Sequence, residues 1–504
     1  MIKGFATPEG TRSYGERHND LNYNELNGTG LLASQVGFGC YRLDLTVVEH
    51  AKSLGKSLLS GINLIDTSSN YGDGGSEELV GTVLQNLVSS KDISRESVVV
   101  VSKGGYIQGQ NYQLSQERKG QGKPFKELVL YGDGLEHCIH PEFLEDQLTR
   151  SLGRLKLGAL DFYLLHNPEY YLSWASKTGV SLEKARREYY SRIKQAFEHL
   201  ENEVERGRIR LYGISSNTFP SPAADPEFTS LEQVWEIAQS LSSDHHFRLI
   251  QLPMNLLETG GITEKNQAKG QSVLEFARDK NLAVLINRPL NAIAQNKLLR
   301  LAEVRPRGRV SGKDIIDLID ELIYSEEILK SQILPQLGLP PARQSQVMEQ
   351  VASGAVLKQH RQSFGTYERW QELQEYYFLP RVKGVLQFLQ QQENLPEEIS
   401  SWVNSHLEKL EAVLESVASS YREEAAERCG QIKKRLASAD TDWSEAVTLS
   451  QMAVRALRST AGINAVLVGM RREDYVQDVL EELARPVEIK ERTESWLELN
   501  KREF

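Results

Sequence analysis

Eight short runs of β-branched and apolar residues recur along the chain, at residues 35–41, 63–66, 97–102, 160–165, 211–215, 248–252, 282–286 and 464–468, and helical periodicity follows nearly every one. Strands that alternate with helices pair in parallel, because each helix carries the chain back to the starting end of the next strand. The helical segments are 47–59, 77–87, 141–157, 182–206, 230–241, 272–280, 443–459 and 473–483. Eight alternations predict an α/β protein built on a closed (β/α)8 TIM barrel.

The rhythm breaks in one place. Between the seventh run and the helix at 443–459 the chain is far longer than the roughly 2–6 residues of an ordinary βα loop, and from 297 to 440 its pattern is almost purely helical. Ile315, Ile316, Ile319, Leu322 and Ile323 mark one amphipathic stretch, and Val403, Leu407, Leu410, Leu414, Val417 and Tyr421 mark another at heptad-like spacing. Such a seam is expected to be buried by neighbouring helices of the same segment rather than by another chain. The regions at Pro340-Pro341 and 354–365 read as internal loops. The expected organisation is an N-terminal extension at 1–22 without periodicity, a barrel at 23–296 and 441–486, an all-helical insertion at 297–440 and a C-terminal tail at 487–504. A second departure, 104–140, is polar and reads as a long loop at the barrel mouth.

Composition narrows the function. With 59 basic and 69 acidic side chains the net charge is −10, and no basic block offers a track for a phosphate backbone, so nucleic acid is not expected as a partner. Cys40, Cys138 and Cys429 lie far apart without metal spacing, so neither a disulfide framework nor a metal site is expected. The polar N-terminal stretch and the absence of an apolar run of about 18–20 residues lead to the expectation of a cytoplasmic protein away from membranes.

In a (β/α)8 barrel, chemistry collects where the strands end at their C-terminal side. The second run ends in Asp66, with Tyr71 five residues on; the third ends in Ser102-Lys103-Gly104-Gly105; the fourth in His166-Asn167-Pro168. Taken singly, each has an ordinary structural explanation, as a cap, a loop ring, a surface amine or a core imidazole. Together they form a proton-transfer set. An ammonium at Lys103 would lower the proton affinity of the Tyr71 phenol, Asp66 would hold that ammonium charged, and a neutral His166 would donate to a substrate oxygen. The set suits protonation of a carbonyl oxygen.

These residues, with the stretches NLIDTSSNYGDGGSEELVG, VVVVSKGG, LLHNPE, GRIRLYGISSN, IQLPMNLLE, INRPLN and INAVLVGMRRED, resemble the aldo-keto reductase superfamily over most of the chain outside the extension, the 104–140 segment, the insertion and the tail. The resemblance implies a NAD(P)-dependent oxidoreductase reducing an aldehyde or ketone, or running the reverse, with Tyr71 as general acid, Lys103 and Asp66 as its tuning pair and His166 as the orienting donor. It also implies a nicotinamide dinucleotide, NADP(H) ahead of NAD(H), bound without a Rossmann domain. Ser215, Ser216 and Gln251 would hold its carboxamide. The second serine stands where the family commonly has asparagine, which Asn217 next door would replace. Gly39 and Tyr41 would line the same mouth. Asn287, followed by Arg288, stands where the family often has a ring to stack on the nicotinamide. Gly469, Arg471 and Arg472 would meet a phosphate at the start of the last barrel helix, with Tyr475 where many members carry a group for the 2′-phosphate. The competing expectation is a dinucleotide-binding regulatory or scaffold protein whose partner surface, or oligomer contact, is the insertion. Because the insertion leaves the catalytic end of the seventh strand, it is expected over or beside the mouth, where it would restrict the substrate.

Overall fold

The computed structural model describes residues 1–294, 297–305, 314–390 and 397–501. All eight expected strands are present, as β1 (Val36–Gly39), β2 (Leu64–Asp66), β3 (Val99–Gly104), β4 (Leu160–His166), β5 (Ile209–Ser215), β6 (Phe247–Pro253), β7 (Ala283–Asn287) and β8 (Ala465–Val468). They pair in parallel in chain order, and β8 closes onto β1. The short β-branched runs form these strands because both faces are covered, one by the surrounding helices and the other by the lumen.

The lumen decides where the site lies. Leu64, Val99 and Val101, Phe162 and Leu164, Leu211, Leu249, Ala283 and Leu285, and Ala465 and Leu467 share one buried cluster with Ala6, Leu26, Leu31 and Ala33. The last three belong to an antiparallel hairpin, Tyr23–Leu26 with Leu31–Ser34, so the hairpin and the N-terminal extension pack with the barrel interior and close its lower end. Side chains alternate in and out along a strand. Two residues past the lumen layer, the next inward positions are therefore Asp66, Lys103, His166, Gln251, Asn287 and Gly469, and four past Leu211 is Ser215. The parallel register staggers these around the mouth: Asp66 lies beside Gly39 and Val101, Lys103 beside Leu164, and Ser215 beside both His166 and Gln251.

Several expectations are corrected. The extension is not without structure: Thr7 caps a helix at Pro8–Arg17 by accepting from Gly10 N–H, and proline occupies the first turn where no amide donor is needed. Its residues are so polar that apolar periodicity is faint. The 104–140 segment is no long loop. It holds a helix, Gly109–Gly120, and a three-stranded antiparallel sheet of Tyr106–Ile107, Val129–Gly132 and Leu135–His137, strands too short to show an alternation. They surround a small core of Ile107, Phe125, Cys138 and Phe143. The helix expected at 443–459 starts later, at Leu449, where Thr448 and Gln451 form a capping box. Thr493–Asn500, within the expected tail, is a helix with Trp496 buried against Trp443.

The chain divides into two compact units, Met1–Ala292 with Leu436–Phe504, and Ile293–Arg435. A short hairpin, Asn291–Ala294 with Lys297–Arg300, spans the boundary, and its second strand lies where an all-helical pattern is expected. Residues 354–360, read as loop, form a helix, Gly354–His360. The other described elements of the second unit are helices, and the seam of the long helix Glu397–Ala439 is satisfied by residues of the same unit. Val403, Leu410, Leu414, Val417 and Tyr421 are buried in a cluster with Leu322, Trp370 and Leu386.

One buried charge ties the lower end of the barrel together. The Asp161 carboxylate accepts Ala6 N–H at 2.6 Å and Val100 N–H at 2.7 Å and pairs with Arg95 at 2.8 Å, both side chains being buried. Truncating Arg95 leaves that carboxylate without its cation, so Arg95→Ala should cost about 3–5 kcal/mol. Equilibrium unfolding in urea checks this, and a loss under about 1 kcal/mol, the worth of an exposed pair, would assign the pair no such role.

Candidate active site

Lys103 sits at the centre of the site. Its ammonium donates to Asp66 Oδ2 at 2.7 Å, to the Thr67 carbonyl at 2.9 Å and to Tyr71 Oη at 3.2 Å, and its side chain is fully buried. Burial is the largest single influence and works against the charge, but Asp66 and Tyr71 together outweigh it and the amine ends above its ordinary value. Asp66 is held from its other side by Gln251, whose Nε2 donates to Oδ1 at 2.7 Å. Gln251 Oε1 in turn accepts from Ser215 Oγ at 3.1 Å and Asn287 Nδ2 at 3.2 Å. The carboxylate thus joins the residues expected to transfer a proton to those expected to hold a carboxamide in one chain of hydrogen bonds.

Tyr71 departs from expectation in one respect. Lys103 does favour the phenolate, but desolvation is larger and Asp66 adds to it, so the phenol is pushed up to about 12. The resting phenol keeps its proton throughout the neutral range. The Tyr71 ring stands edge-on to Tyr41 at 5.1 Å and to His166 at 5.9 Å. Tyr41 itself is 66% exposed. His166 is buried, and burial, with Lys103 and His137 nearby, holds its imidazole well below the usual histidine range, so the ring is neutral. Ser68 Oγ lies 3.0 Å from His166 Nδ1 and 2.7 Å from Asn70 Oδ1. Ser68 donates to Asn70 Oδ1 in this arrangement, and turning its hydroxyl onto His166 Nδ1 would leave the imidazole proton on Nε2.

The expected cofactor positions gather unequally. Gly39, Ser215, Gln251 and Asn287 lie at the mouth level, and Asn287 Oδ1 is a buried acceptor with no hydrogen-bond partner. Ser216 turns its hydroxyl to Thr218 at 3.2 Å and Thr229 at 3.4 Å, whereas Asn217 is exposed and its amide is held by Glu169. Arg288 has left-handed backbone, φ +53°, and pairs with Glu258 at 2.9 Å. Gly469 and Arg471 precede the last barrel helix, Glu473–Leu483, and Arg472 caps its N-terminal end. Arg472 is engaged by Asp474 at 3.0 Å and lies over the exposed ring of Tyr475, so a phosphate there has to compete with a carboxylate.

Two contributions lie outside the residues singled out by sequence. Glu169, the last residue of LHNPE, is buried, accepts Asn217 N–H at 2.8 Å and is raised by burial to about 7. Tyr106 and His137, from the segment read as loop, surround His166: the Tyr106 ring meets it edge-on at 4.7 Å, and His137 Nε2 lies 2.7 Å from the His166 carbonyl oxygen. Only the strand-end position of Tyr106, three residues past Lys103, could have signalled this. Among the described residues, no cluster of His, Cys, Asp and Glu could hold a metal ion, and no helix is long and apolar enough to cross a membrane.

Residues 36–311 match the model of the aldo/keto reductase family, and this chain belongs to that family. It is 22% identical over 272 residues to the aldo-keto reductase YhdN of Bacillus subtilis, covering 53% of this chain and 61% of that protein. It is 36% identical over 107 residues to the NADH-specific methylglyoxal reductase of Escherichia coli, covering 21% of this chain and 27% of that one. The matches therefore span less than two thirds of these relatives. Among solved structures, the glycerol dehydrogenase AKR11B4 of Gluconobacter oxydans aligns over 93% of this chain and 91% of its own, with 16% identity and a TM-score of 0.45.

The depressed imidazoles predict acid sensitivity. His137 is lowered by burial to about 4 and His166 also lies well below its ordinary value, whereas the unfolded chain takes up these protons near pH 6.5. The unfolded state then binds more protons than the folded one, so stability should fall as pH drops from about 6.5 toward about 4. Thermal unfolding across that range checks this, and His137→Gln should flatten the curve.

Proposed function

We propose that this protein reduces an aldehyde or ketone to an alcohol, or runs the reverse, using a nicotinamide dinucleotide, with Tyr71 as the general acid. The observation that carries the reading is the Tyr71–Lys103–Asp66 arrangement beside a neutral His166. Tyr71 supplies the proton to the substrate oxygen. Lys103 stabilises the phenolate left behind, and Asp66 keeps Lys103 charged while it does so. His166, donating from Nε2, orients the oxygen toward the phenol.

The residues present suit the cofactor. Ser215 and the unpartnered Asn287 Oδ1 offer acceptors for a carboxamide N–H, and Gln251 fixes both. When bound, a reduced nicotinamide supplies hydride to the carbonyl carbon. Asn287 gives this pocket a hydrogen-bonding wall where a stacking ring would otherwise stand. Arg471 and Arg472 favour NADP(H) through a 2′-phosphate, against the pull of Asp474 on Arg472 and the example of an NADH-specific relative.

Removal of only the transferable proton tests the acid. Tyr71→Phe should leave dinucleotide affinity within a few-fold and abolish nearly all reduction. Retention of more than about a tenth of the wild-type turnover sinks the assignment. His166→Ala should keep measurable activity with a raised carbonyl KM. If wild-type protein binds the dinucleotide yet oxidises none of it across a panel of carbonyls, the regulatory or scaffold reading replaces this one.

The guanidinium pair has its own test. Arg471→Ala with Arg472→Ala should weaken NADPH binding about tenfold or more while sparing NADH, since charge-assisted phosphate contacts are worth about 1.5–3 kcal/mol. Equal losses for both dinucleotides, measured by fluorescence titration, would remove the phosphate role.

A further inference from the structure

Resting on that reading of His166, we propose that the small sheet between β3 and its helix is a positioning device for the imidazole, with His137 as its principal residue and Tyr106 as its support. His166 ends β4 and carries no covalent constraint beyond its strand, yet its ring has to present one nitrogen to a substrate oxygen. Its immediate successor, Asn167, has left-handed backbone, φ +52°, a conformation that costs about 1 kcal/mol or more for a residue other than glycine and persists where surroundings impose it.

The surroundings come from the small sheet. His137 faces a carbonyl oxygen, which can only accept, so its Nε2 must carry the proton and donate to His166 O at 2.7 Å. Burial keeps His137 neutral, which leaves this tautomer in place at ordinary pH. Asn167 Nδ2 donates to Tyr106 Oη at 2.7 Å, anchoring the turn, while the Tyr106 ring packs edge-on against the His166 ring and against Tyr170 at 5.0 Å. His137 and Tyr106 are themselves cross-strand partners, and Cys138 N–H bonds back to the Gly105 carbonyl at 2.8 Å. Strand-end backbone and ring are thus both gripped by one rigid element.

The glycine pair after Lys103 is built to admit this grip. Gly105 has φ +156°, and a Cβ there would lie 2.7 Å from both His137 Nε2 and His166 O, inside the space that the hydrogen bond needs. A Cβ at Gly104 would strike the Tyr163 hydroxyl at 2.2 Å. Two glycines in SKGG therefore let β3 pass without displacing β4 or His137.

The test uses full-length protein with para-nitrobenzaldehyde and methylglyoxal as carbonyl probes and NADPH or NADH as donor. His137→Ala should raise the carbonyl KM about tenfold with dinucleotide affinity unchanged, because orientation is lost and the proton donor is not. His137→Gln, whose amide can still donate to the His166 carbonyl, should restore most of it, and Gly105→Ala should copy His137→Ala. In a His166→Ala background, His137→Ala should have no more than about a twofold further effect, as coupled residues are not additive. Additive losses, an unchanged KM in folded His137→Ala, or an equal loss of dinucleotide affinity would overturn the proposal. If His166→Ala itself leaves KM unchanged, the role given to His166 has failed instead. Nitrogen-15 spectra of histidine-labelled protein read the position without turnover, including in a variant or wild type that reduces neither aldehyde. His137→Ala must shift the His166 resonances, identified by their loss in His166→Ala, and unshifted resonances overturn the proposal.

Discussion

A lysine whose side chain has no contact with solvent is the constraint around which the mouth of this barrel is arranged. Lys103 cannot be charged there alone, since desolvation drives a buried amine toward neutrality. Asp66 at 2.7 Å, with Tyr71 at 3.2 Å, reverses this, but a buried carboxylate brings its own unsatisfied lone pairs. Gln251 meets one of them and is oriented in turn by Ser215 and Asn287. The requirement of a single cation is thereby passed across β2, β3, β5, β6 and β7. A breach at any of these positions alters the charge of Lys103 or the direction of Gln251, so the groups expected to hold a dinucleotide and the groups expected to move a proton are not separable parts.

The barrel places this network by alternation alone. Each participating side chain but Ser215, which is four residues past Leu211, is the next inward position beyond an apolar lumen residue, and the hairpin at the other end supplies the lower seal. The same alternation that buries Leu64, Val101, Leu164 and Leu249 therefore delivers Asp66, Lys103, His166 and Gln251 to one mouth. This is why the eight strands, and the meeting of Asp66, Lys103 and His166 at one mouth, could be read directly: a strand-end position in a long buried β run has one place to go. Residues 104–140 lacked that property. Their strands run from two to four residues, their helix buries little more than Asn111 and Ser115, and their order rests on contacts with His166, Asn167 and Phe143 that no local pattern encodes. The extension behaves alike, its helix depending on the Thr7 cap and on burial of Thr11 and Tyr14. The phenol of Tyr71 was misjudged for a related reason. Sequence spacing shows which charges come near, whereas desolvation depends on the whole enclosure.

That enclosure bears on how a phenol with so firm a hold on its proton can act as an acid. Hydride addition to a carbonyl would generate an alkoxide, a stronger base than a phenolate. A phenol pushed up to about 12 is still a stronger acid than an aliphatic alcohol, and the burial that raises the phenol would raise the alcohol beside it as well. The elevated value withholds the proton from bulk water at rest and releases it to an oxygen on which negative charge develops. In the proposed reaction Lys103, 3.2 Å from the phenol oxygen, would bear on the phenolate as it forms, and His166, neutral by burial, would donate a hydrogen bond without carrying a charge of its own. On the proposed reading, the selectivity of Tyr71 as a donor would come from the difference between the two acidities and not from an unusually acidic tyrosine.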